Sequence, residues 1–293
     1  MYRGRFAPSP TGHLHFGSLV AALGSWLAAR AAEGIWLVRM EDIDRGREVP
    51  GAAADILAAL PAFGLESDET VVFQSARGAG YAAALHRLDV SGHAYRCWCS
   101  RADLERFAGI HPRDCIAAPA SRPPAWRVRV GDATIAFEDA IQGLHTQDLG
   151  REAGDFVIWR ADGGCAYQLA VVVDDAAQGM TAVVRGADLL DSTPRQILLQ
   201  RLLGLAQPAY AHLPLALGMD GSKLSKHERA LAVDAADPLP ALRAALRFLG
   251  QPLPDAGTPR DLLALAARDF DERRIPRAPS IPRPIAALRN ATR

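Results

Sequence analysis

Apolar and polar positions along this chain follow two rhythms. Residues 4–7 read as a short strand closed by the turn-forming cluster Pro8-Ser9-Pro10-Thr11-Gly12. Leu19, Leu23, Trp26, Leu27 and Arg30 then recur near helical spacing and predict a helix over 17–32. Ile35–Met40 is almost continuously apolar, as a parallel strand buried on both faces must be. A helix over 52–60, a strand over 70–73 and a helix over 81–90 continue the alternation, which is that of a doubly wound α/β sheet.

From about residue 96 to 151 the rhythm breaks. Cysteines, the prolines Pro112, Pro119, Pro123 and Pro124, and a strand-like piece at 126–130 suggest an insertion. Strand patterns return at 156–159 and 181–185, followed by a helix over 193–203 and an apolar run at 211–217. Helices over 240–249 and 259–267 account for most of the remainder, ahead of a proline-rich tail. From Arg260 onward eight arginines face four acidic residues.

Composition narrows the function. At 293 residues, 49% hydrophobic and 23% charged, the chain is an ordinary packed protein rather than a disordered one. Its best apolar stretch, 19–29, is too short to cross a membrane, and no apolar signal region follows the basic residues near Met1. Four cysteines fit thiols or a metal in the cytoplasm better than a disulfide framework. The net charge is zero, so a nucleic-acid partner would need a local basic patch. Of 33 basic residues only Lys223 and Lys226 are lysines, and both lie in Ser222-Lys223-Leu224-Ser225-Lys226. A compact ammonium differs from a planar guanidinium in hydration and reach, so that segment is a candidate for chemistry.

Two segments carry a resemblance. Arg5-Phe6-Ala7-Pro8-Ser9-Pro10-Thr11-Gly12-His13-Leu14-His15-Phe16-Gly17-Ser18 runs from strand through loop into helix, and Lys223-Leu224-Ser225-Lys226 stands far downstream. They resemble the HIGH and KMSKS signatures of class I aminoacyl-tRNA synthetases, and the lead-in before His13 resembles the glutamyl-tRNA synthetase branch. His15 matches the first histidine of the motif, and Ser18 stands where that family often has His, Asn or Gly. The resemblance implies that His15, Gly17, Ser18 and Lys226 bind ATP and that His15, Lys223 and Lys226 are catalytic. The chemistry agrees. An imidazole beside a helix N-terminus suits phosphates, Gly17 lets backbone approach a nucleotide, and the lysines would neutralise charge as a carboxylate attacks the α-phosphorus. A helix-capping or core histidine is the plainer account of His15 alone.

Arg5, Glu41 and Arg185 each fall at or just past the carboxyl end of an expected strand, where open α/β sheets bind ligands. Glu41 is a natural partner for an amino acid's ammonium, and an arginine for a side-chain carboxylate. Ordinary ion pairs would also account for them, and Glu41 with Asp42 and Asp44 could instead hold magnesium or form a solvated turn. Likeness to glutamyl-tRNA synthetases assigns glutamate binding to Arg5, Ser9, Glu41, Tyr167 and Arg185.

Cys97-Trp98-Cys99 followed by His111 and Cys115 gives a possible Cys3His zinc set, with two thiols on one face of a strand. Free reduced thiols remain the alternative. The resembling sub-branch carries a zinc knuckle of three cysteines and a tyrosine, and here His111 stands in place of the tyrosine. Cys165 stands apart and reads as a small core residue.

Only 67 residues follow Lys226, too few for the anticodon-binding region of a full glutamyl-tRNA synthetase. With the knuckle and the Leu14-His15-Phe16-Gly17-Ser18-Leu19 variant, this resembles the glutamyl-queuosine tRNA(Asp) synthetases. That resemblance implies a Rossmann-like doubly wound parallel sheet split into 1–95 and 151–230, a zinc-containing α+β insertion that contacts tRNA at 96–150, and a short helical C-terminal region at 231–293. It also implies ATP-dependent, tRNA-independent activation of L-glutamate, with Mg2+ and Zn2+ as cofactors, and transfer to queuosine at the wobble position of tRNA(Asp). A cytoplasmic monomer is expected. Three alternatives are kept: a minimal glutamyl-tRNA synthetase charging tRNA(Glu), a small-molecule adenylyltransferase or ligase, and an inactive tRNA-binding paralogue.

Overall fold

The computed structural model describes residues 1–112, 114–217 and 233–282. In chain order the elements are β1 (Arg3–Phe6), α1 (Phe16–Ala31), β2 (Ile35–Met40), α2 (Ala52–Ala62), β3 (Val72–Phe73), α3 (Gly78–Val90), β4 (Ala94–Cys97), α4 (Arg101–Leu104), β5 (Ala125–Val128), β6 (Thr134–Asp139) and β7 (Gly143–Asp148). There follow α5 (Leu149–Glu152), β8 (Val157–Trp159), α6 (Tyr167–Ala177), β9 (Ala182–Gly186), α7 (Thr193–Leu202), β10 (Ala209–Leu213), β11 (Leu215–Leu217), α8 (Pro238–Phe248), α9 (Pro259–Arg268) and β12 (Ser280–Pro282).

Parallel strands β1-β2-β3 form one sheet, and β10 pairs in parallel with both β9 and β6 in a second. Thr181 N–H donates to the Arg3 carbonyl at 3.0 Å, which sets β9 beside β1 and brings the two sheets edge to edge. Strand order therefore reverses between β1 and β9, the crevice where doubly wound sheets bind ligands beyond the strands' carboxyl ends.

Alternate residues of β9 and β10 enter different cores: Val184 and Ala211 join one, Val183 and Tyr210 the other. The first core holds α1, whose Leu19, Leu23 and Leu27 are fully buried, together with α8 and α9. Gly24 lets α1 approach β10 closely, since a Cβ there would stand 2.6 Å from Leu213 Cδ1. The second core holds α3, α6 and α7.

Two elements depart from the sequence reading. Helix α6 lies where no element is predicted; its run Leu169–Val172 is wholly buried. Within residues 96–150 the structure holds an antiparallel hairpin, β6–β7, and β6 joins the parallel sheet through the Tyr210–Asp139 register. Strands β4, β5 and β8 make a separate antiparallel sheet, and β11 pairs in parallel with β12. Among the described residues no helix is long and apolar enough to cross a membrane.

Candidate active site

His15 is the N-cap of α1, its extended backbone (φ −112°, ψ 169°) turning the chain from loop to helix. Its Nδ1 accepts from Ser18 N–H at 3.2 Å, and its Nε2 lies 3.0 Å from Ser18 Oγ. With Nδ1 an acceptor, the neutral ring carries its proton on Nε2 and donates to the serine hydroxyl. Burial pushes the imidazole below its ordinary pKa and favours that neutral form. A Cβ at residue 17 would stand 3.3 Å from both Cε1 and Nδ1 of His15, so Gly17 makes room for the ring.

On the carboxyl side of β1 and β2 lies a buried lattice of charge. Arg5 Nε and Nη2 reach Asp175 Oδ1 and Oδ2 at 3.0 and 3.3 Å. Arg39 Nη1 donates to the same Asp175 Oδ1 at 2.7 Å, and its Nη2 to Glu41 Oε1 at 3.2 Å. Asp174, one residue back on α6, accepts from Arg77, Tyr81 and Gln74 at 2.6, 2.6 and 2.9 Å. Three guanidiniums thus meet three carboxylates, as burial of so many ions requires. Burial pushes the Glu41 carboxyl upward against the pull of Arg39 and Arg5. The same desolvation acts on Asp175, but Arg5 and Arg39 overcome it and hold that carboxyl down at about 2.

Arg185 differs. It is 5% exposed, yet its partners are neutral: His212 Nε2 at 3.1 Å from Nε, Thr193 Oγ1 at 2.8 Å from Nη2, and the Tyr167 hydroxyl at 3.5 Å from Nη1. Among the described residues no carboxylate lies within 4.0 Å of its nitrogens. Tyr167 opens α6; burial raises its pKa, with Arg185, Glu41, Arg5 and Asp175 all close enough to act on it. Arg5, Glu41, Tyr167 and Arg185 therefore share one electrostatic environment. Ser9 is exposed in the turn after β1, and among the described residues no side-chain hydrogen bond joins it to the other four. Lys223 and Lys226 lie outside the described residues.

Asp42 accepts from Ser75 N–H and Oγ at 2.8 and 2.6 Å, and Asp44 pairs with Arg47 at 2.7 Å. Both carboxylates are thus engaged within their own surroundings. Sequence reasoning missed Arg39, Asp174, Asp175, Asp139 and His212. The signal available was an adjacent acid pair ending an apolar run, Val171-Val172-Val173-Asp174-Asp175, whose arginine partners lie 97 to 170 residues away.

The second cluster comprises Cys97, Cys99, His111 and Cys115, whose ligand atoms all lie within 4.8 Å of one another. Cys97 Sγ stands 3.3 Å from His111 Nε2 and 3.7 Å from Cys115 Sγ, and Cys99 Sγ is 3.4 Å from Cys115 Sγ. Tetrahedral zinc, with sulfur at about 2.3 Å and nitrogen at about 2.0–2.1 Å, would space its ligands about 3.6–3.8 Å apart. The donor set and its spacing fit that ion. His111 Nδ1 lies 2.6 Å from the Pro112 carbonyl, which fixes the tautomer with Nε2 toward the thiols. Arg127 Nε sits 3.3 Å from Cys97 Sγ, a cation placed to favour a thiolate whose own pKa burial pushes up to about 11. Cys165 is buried in the second core, its thiol pushed up to about 12 by desolvation.

Comparison with known proteins gives a consistent picture. The family "tRNA synthetases class I (E and Q), catalytic domain" matches residues 1–114 and 115–252. The glutamyl-Q tRNA(Asp) synthetase of Xanthomonas campestris pv. campestris (strain 8004) is 59% identical over 284 residues, 96% of this chain and 95% of that protein. The protein of the same name from Pseudomonas entomophila (strain L48) is 53% identical over 285 residues, 96% and 97% of the two chains. A crystal structure of a glutamate tRNA ligase from Elizabethkingia meningosepticum CCUG26117, in complex with its amino acid, superposes with a TM-score of 0.82 at 25% identity, covering 99% of this chain and 68% of that one.

Proposed function

From the premise that this chain belongs to the class I tRNA synthetases of the glutamate and glutamine type, and within them to the glutamyl-Q tRNA(Asp) synthetases, we propose that it activates L-glutamate with ATP and transfers it to the cyclopentenediol of queuosine in tRNA(Asp). The observation that carries this reading is Arg185, a buried guanidinium among neutral partners. Such a cation needs an anion, and the side-chain carboxylate of glutamate supplies it at Nη1, the nitrogen not committed to His212 or Thr193. Glutamine offers only a neutral amide, so the buried charge would stay unpaired and the site would reject it.

In this reading Glu41 takes the substrate ammonium, Tyr167 borders the side chain, and Arg5, held side-on by Asp175, presents its remaining nitrogen to the amino acid. Ser9 lines the entrance. ATP lies over His15, Gly17 and Ser18 at the start of α1, where backbone N–H groups and the helix dipole favour phosphate. The glutamate α-carboxylate attacks the α-phosphorus, the bond to pyrophosphate breaks, and glutamyl-adenylate forms. Lys223 and Lys226 stabilise the charge on the departing pyrophosphate, with Mg2+ entering as the counter-ion of ATP. A queuosine hydroxyl then attacks the acyl carbon, loses its proton and releases AMP. Cys97, Cys99, His111 and Cys115 would hold Zn2+, which supplies a structural brace between the ends of a loop rather than a reaction centre. The four cysteines form no disulfide, which suits a protein working in the reducing cytoplasm.

The test is transfer of labelled glutamate to purified tRNA(Asp) with and without queuosine. Queuosine-dependent label that survives removal of the 3′-terminal nucleotide is expected. Label lost with that nucleotide would make the protein an ordinary charging enzyme instead.

A further inference from the structure

Behind Arg185 runs a buried chain of side chains from three strands. Asp139, at the end of β6, accepts at Oδ1 from the N–H groups of Ile141, Gln142 and His212 at 3.1, 2.8 and 3.1 Å. Its Oδ2 lies 2.5 Å from His212 Nδ1 on β10, and both side chains are wholly inaccessible to solvent. His212 Nε2 in turn lies 3.1 Å from Arg185 Nε on β9. The protons along this chain follow from what each atom can do. A guanidinium N–H can only donate, so Nε2 must accept; the neutral ring's proton is therefore on Nδ1, where the carboxylate receives it. Tyr210 lies beside the ring, with centroids 6.3 Å apart and planes within 13°, and holds it flat. Thr193 Oγ1 fixes Nη2, which leaves Nη1 as the nitrogen directed toward Tyr167.

We infer that Asp139 and His212 are positioning residues for amino-acid selection: Asp139 sets the His212 tautomer, and His212 thereby sets the plane in which Arg185 meets the substrate carboxylate. This rests on the reading of Arg185 as the glutamate-binding arginine. It also gives the β6–β7 hairpin, which lies within the segment read from the sequence as an insertion, a part in recognising the amino acid.

The test uses glutamate-dependent ATP–pyrophosphate exchange on the intact protein, with KM measured separately for glutamate and ATP. His212→Asn keeps a donor on the Asp139 side and removes the acceptor for Arg185. His212→Gln keeps an acceptor at the far position and removes the donor. Asp139→Asn presents an amide N–H to Nδ1, forces the proton onto Nε2 and sets two donors against each other. We expect His212→Asn and Asp139→Asn to raise the glutamate KM about 10- to 100-fold, the scale of one buried hydrogen bond to a charged group. The ATP KM should stay within about twofold, and His212→Gln should recover most of the loss. Nitrogen-15 NMR of the ring should find the proton on Nδ1 in the unsubstituted protein. Equal rises in both KM values, equal losses in the Asn and Gln variants, or a ring protonated on Nε2 would overturn the inference while leaving the proposed function intact. Absence of exchange in the unsubstituted protein would overturn both.

Discussion

Asp175 and Arg5 meet side-on in the floor of the site, Nε to Oδ1 at 3.0 Å and Nη2 to Oδ2 at 3.3 Å, with a sequence separation of 170 residues. Because Arg39 shares Oδ1, this single carboxylate offsets two buried cations. Asp175→Ala should therefore destabilise the fold by about 3–5 kcal/mol, the range for removing one partner of a buried pair. Urea unfolding at neutral pH checks this; a midpoint unchanged by the substitution would show that the arginines have other compensation.

The same carboxylate predicts an acid limb. Its native pKa is held at about 2, against about 3.9 in an unfolded chain. A depressed carboxyl contributes stability that is complete above the unfolded value and is lost as pH falls through the folded one. Unfolding midpoints should thus drop between about pH 4 and pH 2, and Asp175→Asn should flatten that drop by one proton's worth of slope. A variant curve parallel to that of the unsubstituted protein across this window would place the acid sensitivity elsewhere.

For the knuckle, purified protein should carry about one zinc per chain. Cys99→Ser and Cys115→Ser should each lower that content to under about a tenth. Atomic emission gives the stoichiometry directly. Hydrogen exchange after chelation should show loss of protection concentrated between β4 and β5, which the four ligands connect. Full metal content in both serine variants would mean that the thiols are not the ligands.

Gly17→Ala separates stability from activity. Residue 17 is the second position of α1, where alanine is an acceptable helical residue, so the fold should hold. The added methyl, 3.3 Å from the His15 ring, should displace the imidazole and slow exchange by at least about tenfold. An active and stable variant would release His15 from its assigned place under the nucleotide.

Lys226→Ala should slow adenylate formation by about 100- to 1,000-fold, the scale of one lost charge-stabilising group, while calorimetry finds glutamate binding nearly unchanged. An unaltered activation rate would remove the lysine from the chemistry.

Much of the parallel sheet was legible because β2 and β9 are apolar on both faces and their ends carry charge: Glu41 follows Met40, and Arg185 sits one residue before Gly186 closes β9. Helix α6 was not legible. Its valines favour strands by intrinsic preference, and packing between α3 and α7 on the second core overrides that preference. The β6–β7 hairpin does alternate, with Ile135, Phe137 and Asp139 buried between exposed neighbours, but a buried aspartate at an apolar position disguises the pattern. The side chains proposed to bind glutamate could be named from likeness to a family. Asp175, Asp139 and His212 could not, because each acts through a partner that only the folded chain brings near.

Strand β11, which leads toward the two lysines, is paired among the described residues only with β12. The register Leu217↔Pro282 joins positions separated by 65 residues. At about 5–20 residues per second of synthesis, that interval lasts about 3–13 s. Throughout it β11 has been made and its partner β12 has not. Helices α8 and α9, which cover α1 in the first core, emerge in the same interval, so both that core and the β11–β12 pairing are completed only as the last described residues appear.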